Sequence, residues 1–143
     1  MKPMRSLRAA LVATLAVIGC SGGSAPTPVP VAGDWTFTQV VDGGGTSCGE
    51  GGTLSLTERG NTVDGTFASR GGCNTPTGAL DYRRDGAVEE AGISASRLRF
   101  RLGVCRYDGA ITEDPPRTVR GLVTCVGLPG VTAQLAGSWE MHR

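Results

Sequence analysis

From residue 33 onward the apolar residues fall at every second position, in short runs separated by glycine-bearing turns. A period of two places successive side chains on opposite faces of an extended chain, so the domain must be built from strands. The clearest run is Arg97-Leu-Arg-Phe-Arg-Leu102, where Leu98, Phe100 and Leu102 share one face and Arg97, Arg99 and Arg101 share the other. Thr53–Arg59 and Thr62–Phe67 flank Gly60-Asn61, a pair able to adopt the positive φ angles of a two-residue hairpin turn. Turn signals recur about every 8–12 residues, the spacing of sandwiches and barrels.

Strands are expected over 33–41, 52–59, 62–69, 77–92, 97–103, 105–112, 118–126 and 133–142. The stretch 77–92 is long and broken by Asp85-Gly86, so it holds either one bulged strand or two short ones. Consecutive hairpins make a meander, and an even number of strands lets the first pair antiparallel with the last, which removes both sheet edges. The expected fold is all-β: a single small eight-stranded antiparallel up-and-down barrel. Its inward side chains would be Trp35, Phe37, Leu54, Leu56, Val63, Phe67, Leu98, Phe100, Leu102, Tyr107, Ile111, Leu135, Trp139 and Met141. A barrel of this size is either filled by side chains or holds one small ligand.

The chain opens with Lys2, Arg5 and Arg8, then an apolar run from Ala9 to Gly19 interrupted only by Thr14. That is the pattern of a secretory signal, and the run is well short of the ~20 residues a spanning helix needs. It ends in Val17-Ile18-Gly19-Cys20, which resembles the lipobox of bacterial lipoproteins: a branched apolar residue, a tolerated residue, a small residue, then cysteine. The resemblance implies cleavage before Cys20, acylation of its thiol and anchorage in the cell envelope by lipid, two or more chains being needed for a stable anchor. Ser21 stands where an inner-membrane retention signal would have Asp, so the resemblance points to the outer membrane. The expected organisation is a signal peptide over 1–19, a lipidated cysteine and Gly/Ser/Pro-rich tether over 20–32, and a barrel domain over 33–143.

Four cysteines remain in the domain, Cys48, Cys73, Cys105 and Cys125, an even number that reads as two disulfides in an exported chain. None of the pairs has the close C-x-x-C spacing of a zinc site. In the meander Cys48 and Cys73 are expected in loops one and three, which return to the same rim. Cys105, at the end of strand five, and Cys125, late in strand seven, also approach that rim. The expected pairs are Cys48–Cys73 and Cys105–Cys125, with Cys48–Cys125 across the closure as the rival.

Loss of the first nineteen residues takes three basic residues and no acids, leaving 11 arginines against 13 acids and no lysine. Nucleic acid is therefore not an expected partner. No catalytic constellation stands out, and the chain is expected to be neither an enzyme nor a holder of a cofactor or metal. His142, the single histidine, is next to last in the chain. The glycines at 43–45, 49, 51 and 52 are followed by no lysine, so they do not form a phosphate loop. Glu89 and Glu90 are adjacent and would point to opposite faces. The stripe Arg97, Arg99, Arg101 is expected as a solvated face paired with acids such as Glu89 and Glu90.

Gly33-Asp34-Trp35, at the start of the first strand, is similar to the Gly-x-Trp signature of lipocalins, avidins and small bacterial lipocalin-like inhibitors. The closing Gly137-Ser138-Trp139 repeats it. The chain is shorter than true lipocalins and lacks their C-terminal helix. The repeat implies that Trp35 and Trp139 lie inside one barrel end, in contact or with one residue between them, with Arg143 over an indole and Gly33 and Gly137 leaving room. Ligands or partners are then expected at the opposite rim, at 42–52, 70–77 or 127–132. The functional expectation is a membrane-anchored, non-catalytic binding module for a small apolar ligand or an envelope component. The alternative implied by the resemblance is a lipocalin-like protease inhibitor.

Overall fold

A computed structural model describes residues 23–24, 27–113 and 117–143. The signal segment, Cys20 and residues 21–22 and 25–26 of the proposed tether lie outside the described residues. Eight strands follow in chain order: β1 Gly33–Gly43, β2 Thr46–Arg59, β3 Thr62–Thr75, β4 Gly78–Ser94, β5 Arg97–Leu102, β6 Cys105–Thr112, β7 Thr118–Val126 and β8 Gln134–His142. Each pairs antiparallel with the next, and β1 pairs with β8, closing the barrel β1-β2-β3-β4-β5-β6-β7-β8. This is the expected architecture, and it is compatible with a lipocalin-like fold.

The alternation that dictates strands also fills the barrel. All fourteen positions expected to point inward are buried, along with Val41, Val88, Ile93, Val119 and Val123. Because β-strand side chains alternate, the intervening positions make the outer wall.

The strands at one rim are longer than the sequence suggests. β2 and β3 take in 46–51 and 70–75, which read as loops because of their glycines, and tight turns at Gly44-Gly45 and Pro76-Thr77 replace the expected loops. Two of these glycines point inward and serve packing. A Cβ on Gly71 would lie 2.5 Å from the Tyr82 ring, and one on Gly52 would lie 2.1 Å from the Ala68 carbonyl oxygen. Glycine in a strand marks such close approaches. The ambiguous segment 77–92 is one strand. It carries register shifts between Thr62 and Thr66 on the β3 side and between Glu89 and Gly92 on the β5 side, with Glu90 at φ 50°.

Both ends are covered. At the rim bearing the β1–β2 turn, the β7–β8 connection folds inward, with Leu128 and Val131 buried. At the opposite end the chain preceding β1 packs against the barrel. Val29 and Val31 are buried, although the sequence placed them in the tether. Their apolar side chains have a barrel mouth to fill, so Val29–Ala32 belongs with the domain and not with the free linker.

Candidate functional site

The mouth beside Trp35 is closed by a strap. The Val31 and Ala32 amides both donate to Glu58 Oε1, the latter at 2.7 Å, and the Val29 amide donates to the Ala95 carbonyl at 3.3 Å. The Trp35 indole N–H donates to the Val31 carbonyl at 2.7 Å, and Arg117 Nη1 holds the Pro30 carbonyl at 2.7 Å. The Arg143 guanidinium lies 4.7 Å from the Trp35 ring centre, a cation–π contact.

Trp139 is not part of that arrangement. It pairs with Gln39 on β1, four residues along from Trp35, which at about 3.3 Å per residue places it well up the barrel. The Phe37–Met141 pair lies between the two levels. Trp139 instead packs edge-on against Phe100 and Tyr107, with ring centres 5.2 and 5.5 Å away. The two glycine–tryptophan repeats thus occupy different levels of the barrel, with the Phe37–Met141 pair between them. Gly33 faces Arg143, and Gly109 makes room for Trp139, since a Cβ there would lie 2.6 Å from Cζ2 of the indole.

The two disulfides are Cys48–Cys73 and Cys105–Cys125. They join directly opposed residues on adjacent strands, β2 to β3 and β6 to β7. Cys48 and Cys73 thus lie in strands and not in loops, and Cys105 opens β6 where the sequence put it at the end of β5. The longer β2 and β3 account for the first difference, and Cys105 stands at the start of the expected strand 105–112.

Next to the disulfides the barrel interior holds a polar cluster that the sequence reading missed. Glu50, Gln39, Tyr82 and Ser69 are buried, as is Tyr107, and the Arg84 side chain is 8% exposed. Glu50 Oε1 accepts from Arg84 Nε at 3.0 Å and Nη2 at 2.7 Å, while Oε2 accepts from Gln39 Nε2 and the Tyr82 hydroxyl, both at 3.0 Å. Arg84 also donates to the Leu102 carbonyl at 2.8 Å and to the Tyr107 hydroxyl at 3.3 Å. Tyr107 in turn donates to Gln39 Oε1 at 2.5 Å. A buried carboxylate is tolerated only when paired and fully hydrogen-bonded, and this one is.

The surroundings move the titrations. Burial, then the Glu50 carboxylate, raises the Tyr82 phenol well above its ordinary range. Burial also raises the Tyr107 phenol, against the lowering effect of Arg84. Burial works against the Arg84 charge, but Tyr107 and Glu50 outweigh it and its pKa rises. Tyr82, Tyr107 and Arg84 thus keep one protonation state near neutrality, which suits a structural cluster.

On the outer wall the arginine stripe is paired. Asp108 bridges Arg97 and Arg99, at 3.0 Å from Arg99 Nε, and the hydrogen bond from Arg97 foremost holds its carboxyl below the usual range. Arg101 meets both Glu89 at 2.7 Å and Glu90 at 3.3 Å. The two glutamates were expected on opposite faces. The bulge at Glu90 turns its carboxylate onto the same guanidinium. His142 is exposed, and among the described residues no group of acids, histidines and cysteines is placed to hold a metal.

The wall also carries features without an internal purpose. Val40 and Leu122 are 54% and 72% exposed, and they flank Ser138 in a single register row across β1, β8 and β7. Beside Val40 an open groove of about 780 Å³ runs over Gly49, Gly51 and Gly72, bounded by Thr38, Arg70, Asp81 and Arg83. No protein-family profile, curated protein or solved structure matches the chain.

Proposed function

We propose that the chain is an exported lipoprotein, anchored to the outer membrane through lipid on Cys20, whose barrel is a non-catalytic binding module for another envelope component. Its resemblance to small lipocalin-like lipoproteins rests on the lipobox-like Val17–Cys20 and on Gly33-Asp34-Trp35. The two disulfides fit an oxidising compartment outside the cytoplasm.

One observation carries the choice of partner. The inward positions are occupied by buried side chains and both mouths are covered, so the outer wall is the surface available for recognition. The row Val40–Ser138–Leu122 offers it exposed aliphatic side chains, of the kind that interfaces cover. The envelope-component reading is thereby preferred over a small apolar ligand held inside. Protease inhibition by an N-terminal segment is less well supported, because Val29–Ala32 lies against the barrel mouth.

The test has two parts. Labelling cells with an alkyne fatty acid should mark the wild type and leave Cys20→Ser unlabelled; equal labelling contradicts the anchor. Mass spectrometry of the lipoprotein solubilised from its own membranes should find a co-purifying protein that is lost with Leu122→Arg. Recovery of a bound apolar small molecule, unaffected by that variant, would favour the interior instead.

A further inference from the structure

The arginines of the wall are nearly all accounted for. Arg59, Arg97, Arg99, Arg101, Arg106 and Arg120 each lie within ion-pair distance of an acid. Inside, Arg84 is held by Glu50, and at the strap Arg117 and Arg143 hold Pro30 and Trp35. Arg70 and Arg83 differ. They are exposed, they are cross-strand partners on β3 and β4, and among the described residues neither forms an ion pair. Like charges directly opposite on neighbouring strands, with Cβ atoms about 5 Å apart, destabilise a sheet. No ion pair among the described residues offsets that cost, although Asp81 lines the same groove.

The groove floor points the same way. A Cβ added at Gly49 would meet nothing within 4 Å, and one at Gly51 would meet only ordinary contacts at 3.5 and 3.7 Å. Neither glycine has a positive φ. Glycine in a strand interior is unfavourable, and internal packing requires it at Gly71 but not at these two positions. What the bare floor provides is close approach from outside, next to a pair of guanidiniums.

We infer that Arg70 and Arg83 jointly grip one carboxylate, presented by an acidic peptide segment of a partner protein that lies in the glycine-floored groove. The guanidinium fork matches a carboxylate in two parallel hydrogen bonds, and a negative charge between the two arginines relieves their repulsion. Asp81 and Asp85 stand two residues either side of Arg83 on the same face of β4. They offset the two cations only in part, forming no ion pair with either, so the site favours a single carboxylate over a doubly charged phosphate or a polyanionic surface. Exposed Val40, opposite Gly49 in the β1–β2 register, supplies an apolar wall for the residue beside that carboxylate.

This inference rests on the outer wall being the binding surface, and its test separates the two. Full-length protein in detergent micelles is titrated with a short acetylated, amidated peptide carrying one glutamate between valines, with its glutamine counterpart, and with inorganic phosphate, following the arginine Nε resonances. The expected result is a saturable shift of Arg70 and Arg83 with the glutamate peptide, with binding at least about tenfold weaker for the glutamine peptide and for phosphate. Arg83→Gln should abolish the shift of Arg70 and raise the thermal midpoint in the absence of peptide. Gly51→Val should keep the fold, since space exists for its Cβ, and lose the peptide. Absence of a saturable shift, equal binding of phosphate, or a lowered midpoint in Arg83→Gln would each overturn the site. If the native partner is still lost with Leu122→Arg while the peptide fails to bind, the binding-module reading stands and only this site falls. If neither is bound, both fall.

Discussion

Glu50 is the residue on which the upper half of the barrel interior depends. Its carboxylate collects Arg84, Gln39 and Tyr82, and Arg84 and Gln39 tie in Tyr107. Glu50→Gln removes the charge that compensates a buried guanidinium and should cost about 3 kcal/mol in chemical denaturation, the scale of a broken buried pair. A loss under about 1 kcal/mol would mean that Arg84 is satisfied by its other acceptors. Tyr82 and Tyr107 are the two tyrosines of the chain and both belong to this cluster, so alkaline titration reports on it alone. Their folded pKa values lie above the unfolded value of about 10, so the folded state retains protons that the unfolded state loses. Stability is complete below about pH 10 and falls as pH rises beyond it. Tyrosinate absorbance should therefore appear together with unfolding; a titration near pH 10 with the fold intact would contradict the buried cluster. None of this was legible in the sequence beyond Tyr107 pointing inward. Glu50 sits among glycines that read as a loop, and the partners that make a buried carboxylate acceptable are far apart in the chain.

The strands themselves were legible wherever apolar and polar residues alternate. β5, β6 and β7 follow the expected limits to within a residue, because Leu98, Phe100, Leu102 and the alternating residues of Cys105–Thr112 leave one choice of face. The sequence failed at Gly49–Gly52 and Gly71-Gly72, where glycines that serve close packing or an open groove look like turn residues. That error shortened β2 and β3 and put two cysteines in loops. The pairing nevertheless followed, because antiparallel neighbours bring Cys48 opposite Cys73 and Cys105 opposite Cys125 in either description. Each bridge closes a short loop, with separations of 25 and 20 residues, and its removal by paired serine substitution should cost about 3 kcal/mol. Loss of the first should also loosen the Glu50 cluster two residues along β2, seen as earlier tyrosinate appearance in the alkaline titration. Unchanged tyrosine ionisation in that variant would show that the cluster holds itself together.

At the scale of the whole molecule, closure and filling together leave the outer wall for the proposed recognition. The barrel has no free edge to offer a partner strand, its mouths are occupied by Val31 and Leu128, and its inward positions are taken. What remains is a wall whose charges are mostly paired, with an exposed aliphatic row and an open groove beside Val40. The strap Val29–Ala32 packs beside Trp35, so in the proposed anchorage the tether would leave the domain at that mouth. The most direct test in living cells places a photo-activated crosslinking side chain at single outer-wall positions around the full-length protein. The account predicts crosslinks to one envelope protein from Ser138 and Thr38, next to the aliphatic row and the groove, and none from Thr66 or Ser94 elsewhere on the barrel. Crosslinks confined to the β7–β8 rim near Leu128, or distributed evenly around the wall, would contradict it.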